Sequence, residues 1–174
     1  MKRKYLLFIL AALIMVSIVG CGANKVLQNY EAELHSLENA DLYYVISKKS
    51  ELDAIICHEA ASIFKVNDEW EFEEGSLDSY SKVFTLAGAR TTVSVDVADG
   101  TVLSTSYELS RCSDTDALEI YNMIVDMYGE PNKSEYNKGA IDGLFEGIDS
   151  FTWLGENGVI GMVYSPHMKT ITII

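Results

Sequence analysis

Apolar residues along this chain follow two rhythms, one of three to four residues and one of two. Lys25 to Glu38 carries Val26, Leu27, Tyr30, Leu34 and Leu37, a stripe that predicts a helix. Asp41 to Lys49 holds Leu42, Tyr43, Tyr44, Val45 and Ile46, which suits a short strand or a loop. Ser50 then reads as a helix cap with Asp53 three residues on. Leu52, Ile55, Ile56, Ala60, Ile63 and Phe64 extend that second helix to about Lys65; two strands turning near His58 are the alternative. From Asn67 to Glu74, Trp70 and Phe72 alternate with carboxylates, predicting a strand with acids in water and aromatics in a core.

The two-residue rhythm takes over in Ser81–Leu86, Arg90–Val97 and Thr101–Leu109. Gly88 separates the first pair, and Ala98-Asp99-Gly100 joins the second with a hairpin dipeptide. Val93, Val95 and Val97 alternate with Thr92, Ser94 and Asp96, so one face of the sheet is covered and the other wet. Ser113 caps a further helix with Asp114 and Asp116 in its first turn; Leu118, Tyr121, Ile124, Val125 and Tyr128 line one face. Gly129 and Pro131 end it. Asn132 to Gly147 reads as a polar excursion, and Ser150–Leu154, Val159–Tyr164 and Met168–Ile174 as a closing three-stranded meander. The predicted fold class is α+β, with antiparallel β-sheet meanders packed against two or three helices. The helix ending in Tyr128-Gly129-Glu130-Pro131, followed by Trp153 and a hairpin, resembles the helix-plus-sheet units of BamE-like and β-lactamase-inhibitor-like lipoprotein domains. The resemblance covers about 60 residues and assigns no binding residue.

The first residues follow neither rhythm. Lys2, Arg3 and Lys4 precede an uncharged stretch from Tyr5 to Val19 in which only Ser17 is polar. As helix it would reach about 22 Å, short of the roughly 20 residues a membrane crossing takes. Ile18-Val19-Gly20-Cys21 resembles the lipobox of bacterial lipoprotein precursors. That resemblance implies a diacylglycerol on the Cys21 sulfur and cleavage before it. It gives a signal peptide over 1–20, a lipidated cysteine and short tether over 21–24, and one extracytoplasmic domain over 25–174. Acyl chains contribute about 0.8 kcal/mol per buried CH₂, so two or more hold a protein on a membrane where one is marginal. The expected location is therefore the cell membrane, anchored through Cys21 and facing outside the cytoplasm.

Charge narrows the partners. The formal charge of −13 becomes −16 once the three leader cations are removed. Such a surface repels nucleic-acid backbones and anionic lipid, leaving a protein or an envelope component as the partner. Outside the cytoplasm Cys57 and Cys112 could form a disulfide or stay as two buried thiols. Catalytic patterns are not found. His35, His58 and His167 are scattered, no Gly-x-Ser-x-Gly elbow occurs, and neither His-x-x-x-His nor Cys-x-x-Cys is present. Cys57 beside His58 is not read as a dyad, because sequence neighbours diverge on helix and strand alike. Neither a metal nor another cofactor is expected. The leading expectation is a non-catalytic binding module; a hydrolase with an unrecognised site, or a chaperone-like envelope accessory, are the alternatives.

Overall fold

The computed structural model describes residues 25–66, 68–135, 149–155 and 158–174. Cys21, the leader, most of the 132–147 excursion and the middle of the 155–158 turn lie outside these residues. Helix α1 occupies residues 25–36, and its Leu27, Tyr30 and Leu34 are buried, as is Leu37 just beyond.

Helix α2 runs Leu42–Ile56 and corrects the sequence reading twice. The Tyr43-Tyr44-Val45-Ile46 run is helical, and Ser50 lies inside the helix instead of capping it. Asp41 is the cap: its side chain accepts a 2.7 Å hydrogen bond from the Tyr44 backbone N–H. Burial explains why a β-prone run folds this way, since Val45, Ile46, Lys49, Leu52 and Ile56 fall on one helical face. The helix stops at Ile56, and His58 adopts a φ of 72°. A 3₁₀ turn over Ala61–Val66 then places Ile63 and Phe64 in the core.

Among the described residues eight strands follow: β1 (Glu71–Glu73), β2 (Asp78–Leu86), β3 (Ala89–Ala98) and β4 (Thr101–Ser110) before a third helix, α3 (Asp114–Tyr128), then β5 (Lys133–Glu135), β6 (Asp149–Gly155), β7 (Gly158–Ser165) and β8 (Thr170–Ile173). They form one antiparallel sheet in the order β1-β2-β3-β4-β8-β7-β6-β5. Two meanders are thus joined edge to edge where β8 meets β4. The predicted class holds: the fold is α+β, with antiparallel meanders packed against helices. Two-residue turns at Ala87-Gly88 and Asp99-Gly100 connect β2–β3 and β3–β4, with positive φ at all four positions. Gly129, at φ 81°, ends α3.

Two predicted faces need revision. In the acidic run only Glu71–Glu73 is strand, and all three residues are exposed. Trp70 is buried and its indole N–H donates to Glu31 at 2.8 Å, whereas Phe72 is exposed with its ring 5.1 Å from that of Tyr80. On α3 the buried residues are Ala117, Ile120 and Ile124, with Leu118 and Tyr128 turned outward. The predicted stripe was rotated because Leu118 and Tyr128 are apolar yet face water.

All three helices contribute to the core on one side of the sheet. The first core cluster joins α1, α2 and the 3₁₀ turn to β2–β4 through Tyr80, Phe84, Val93, Val95, Val102 and Tyr107. A second joins α3 to Phe151, Trp153, Met162, Tyr164, Ile171 and Ile173. Each such aliphatic or aromatic side chain adds about 1.5–3 kcal/mol of burial free energy. Ile46 belongs to the second cluster while Val45 and Leu52 belong to the first, so α2 spans the join. Among the described residues nothing covers the opposite face. That face is mostly hydroxyls in register: Ser81 lies beside Ser94 and Ser94 beside Ser106, and a second row runs Val83, Thr92, Glu108, Thr172, Val163.

Candidate functional site

The join between the meanders is where the sheet is least complete. β8 has four residues, while its neighbours β4 and β7 have ten and eight. β8 pairs with Tyr107–Ser110 on one side and Met162–Ser165 on the other, and Ile174 adds two backbone bonds to Gly161. Beyond that point, among the described residues, no strand lies between β4 and β7. β4 also carries a bulge here: Val97 pairs with Val102 and Asp96 with Ser104, leaving Leu103 as the extra residue. A cleft of about 540 Å³ opens at this seam, lined by α2 and the turn after it (Lys49, Ser50, Asp53, Ala54, Cys57, His58), by Leu103, Ser104 and Thr105 of β4, and by Val159 and Ile174.

Its floor is polar and tightly bonded. The Lys49 side chain is 3% exposed, against 26% for Asp53 one helical turn on. Lys49 Nζ donates to Asp53 Oδ2 at 2.7 Å, to the Thr105 carbonyl at 3.1 Å and to Thr105 Oγ1 at 3.3 Å. The ammonium also lies 5.3 Å from the centroid of the Tyr107 ring. The Thr105 hydroxyl in turn donates to Asp53 Oδ1. Three N–H donors thus meet three acceptors, the condition under which a buried ammonium is tolerated. Beneath this group the Tyr30 and Tyr107 hydroxyls lie near one another, and among the described residues neither completes a hydrogen bond of ordinary geometry. Burial, reinforced by the Asp53 charge, pushes the pKa of Tyr30 well above the usual phenol range. Burial raises that of Tyr107 too, with Tyr30 and Asp53 adding to it.

Cys57 ends α2 at the cleft wall. Burial and then Asp53 raise its thiol pKa, with Lys49 opposing them in part. A thiol so placed is protonated at neutral pH and is a weak nucleophile. His58 shares the cleft lining, its backbone N–H bonded to the Val102 carbonyl at 2.9 Å. His35 lies elsewhere, its ring 5.2 Å from that of Phe84, and His167 is exposed in the β7–β8 turn. Among the described residues no three His, Cys, Asp or Glu side chains come together as metal ligands.

The disulfide considered from the sequence is not formed: Cys57 and Cys112 are both free thiols. The reason is topological. His58, next to Cys57, bonds to Val102 near the start of β4, and Cys112 follows the end of that strand. The nine residues from Val102 to Ser110 extend about 27 Å, and a bridge needs Cα atoms roughly 6 Å apart.

Sequence reasoning missed Lys49 as a floor residue. Once Asp41 is taken as the cap, the signal is visible: Lys49 falls on the apolar stripe of α2 with an acid four residues later. Around the mouth of the cleft the hydroxyl-lined face turns apolar, with Leu154 64%, Val159 62%, Leu103 49% and Ile174 43% exposed. Comparisons with protein-family models, with curated proteins and with solved structures were made. Nothing matches this chain. Nor, among the described residues, is any helix long and apolar enough to cross a membrane.

Proposed function

We propose that this chain is a membrane-anchored lipoprotein, held by lipid on Cys21 outside the cytoplasm, whose domain is a non-catalytic binding module for a protein or envelope component. The address rests on the leader pattern ending at Cys21. The binding reading rests on one observation: four exposed apolar side chains cluster at the seam of a sheet face otherwise paved with hydroxyls. Four large apolar side chains gathered in the open at one place on a polar sheet face have the composition of an interface core.

A hydrolase is the second reading, favoured by the polar groups that converge in the cleft. Against it, Lys49 and Asp53 are already bonded to each other and to Thr105, and the Cys57 thiol is held protonated.

The address is tested by acyl-chain labelling, which should mark the native protein and not Cys21→Ala. Binding is tested by placing a photoreactive amino acid at Leu154 or Val159 on intact cells. Both positions should capture the same partner, and the exposed Glu119 position on α3 should not. Absence of a seam adduct, together with substrate turnover by the purified protein, would reverse the ranking.

A further inference from the structure

The far end of β4 carries a different surface from the seam. Both arginines that follow the leader, Arg90 and Arg111, lie there with Lys169, and all three are exposed. Arg90 continues the register of the Thr91–Leu109 pair and so comes beside Ser110, which pairs with Thr170; on its other side Arg90 pairs with Thr85. Thr91, Leu109 and Ile171 are buried, so alternation turns Thr85, Arg90, Ser110 and Thr170 to the open face as one row across four adjacent strands. No carboxylate stands in that row. Arg111 follows Ser110 and Lys169 precedes Thr170, which brings two cations together at the ends of neighbouring strands, where the Cys112 N–H donates to the Lys169 carbonyl at 2.8 Å. Like charges so placed repel. Both residues also take left-handed backbone, with φ of 67° at Arg111 and 54° at Lys169, where glycine or asparagine is the unstrained choice.

A chain with 26 Asp and Glu has ample means to neutralise such a cluster. Yet among the described residues the side chains of Arg90, Arg111 and Lys169 make no hydrogen bond or ion pair. Of the acids close by in sequence, Asp114 accepts from the Tyr164 hydroxyl and Asp116 is bonded to Ser113, while Glu108, two residues before Ser110, pairs with neither arginine. We propose that Arg90, Arg111 and Lys169, with the Ser110 and Thr170 hydroxyls between them, form a binding site for a phosphate group. A phosphate monoester has a charge of about −1.5 to −2 at pH 7 and three acceptor oxygens, enough to meet several cations and hydroxyl donors at once. A carboxylate brings one charge and two oxygens. Strands about 4.8 Å apart set the Arg90 and Thr170 backbones about 10 Å apart, a span that arginine forks close over one tetrahedral anion. The formal charge of −13 repels long polyanions, which favours a single phosphate on a small or uncharged carrier. The site is independent of the seam, since Leu103 and Ser110 are about 23 Å apart along β4.

The test is a titration of the full chain in uncharged detergent micelles with inorganic phosphate, at fixed ionic strength, read by amide NMR. Phosphate should give saturable shifts at Arg90, Ser110, Arg111, Lys169 and Thr170, and acetate should bind about tenfold more weakly. Arg90→Lys keeps the charge and loses the fork, so phosphate should weaken about threefold. Glu108→Gln removes a neighbouring negative charge and should tighten it. Arg111→Gly separates binding from folding: the left-handed strain is relieved, so Tm should not fall, while affinity falls about tenfold. Soluble glycerol phosphate and phosphatidic acid doped into the micelles distinguish the source, and whichever shifts these amides at the lower concentration names the carrier. Shifts that never saturate, acetate equal to phosphate, or an Arg111→Gly chain with unchanged affinity would each overturn the proposal.

Discussion

Removing Asp53 should cost more than removing Lys49, although each deletes the same ion pair. The asymmetry follows from exposure. Asp53→Ala leaves an ammonium that is 3% exposed, facing only the Thr105 carbonyl, the Thr105 hydroxyl and the Tyr107 ring. A buried charge stripped of its counterion costs about 3–5 kcal/mol. Lys49→Met removes the buried charge along with the pair and keeps a side chain of similar reach. Asp53 is then one-quarter exposed, hydrated, and still accepts from the Thr105 hydroxyl, so the loss is about 1–2 kcal/mol. The double variant should resemble Lys49→Met, which makes the two changes non-additive by about 3–5 kcal/mol. For a domain of this size 1 kcal/mol moves Tm by roughly 2–4 °C, so Asp53→Ala lowers it by about 6–20 °C. Thermal and urea unfolding followed by circular dichroism read these differences. Equal losses in the two single variants, or additive losses in the double, would refute the account of Lys49 as a satisfied buried charge.

Tyr30→Phe should leave stability unchanged within about 0.5 kcal/mol, because its hydroxyl completes no bond; a loss above 1 kcal/mol would reveal a partner for that oxygen. Tyr164→Phe should cost about 1.5–3 kcal/mol, since the Tyr164 hydroxyl donates to Asp114 and ties β7 to the first residue of α3. At alkaline pH the raised phenols of Tyr30 and Tyr107 set the sign: a folded pKa above the ordinary 10.0 gives stability that is complete below pH 10 and lost as pH rises through the folded values. Urea midpoints should therefore begin to fall above about pH 10, and a flat profile to pH 12 would be contrary. Ser113→Ala should remove about 1 kcal/mol by breaking the cap of α3. Ser113 holds the Asp116 carboxyl below its usual range through backbone and side-chain hydrogen bonds, so carbon NMR titration should show its pKa rising in the variant. Thiol titration should find Cys57 and Cys112 free without reductant, with alkylation of Cys57 at pH 7 slower than that of an exposed thiol and accelerating as pH rises.

The hairpins were legible because strict alternation leaves one reading. Val93, Val95 and Val97 are buried and Thr92, Ser94 and Asp96 are not, while Asp99-Gly100 takes the positive φ its residues allow. Helix α2 was not legible from propensity, because Tyr43 to Ile46 prefers a strand in isolation. Only the Asp41 cap and the face shared with Lys49, Leu52 and Ile56 make it helical. On α3 the cap and stop were readable, but the buried face was not, because Leu118 and Tyr128 are apolar and exposed. The cleft was out of reach altogether. Its walls come from residues near 50, 104, 159 and 174, and no local pattern records that these four stretches meet.

The same buried group explains how α2 is seated. Lys49 takes both the carbonyl and the hydroxyl of Thr105, so α2 is fixed on β4 by a polar contact that permits one register only. An ion pair of this kind adds little net stability compared with a well-packed apolar pair. What it does here is hold the α2 wall of the cleft at a set height above β4, because any slip of the helix would leave a buried ammonium without its acceptors.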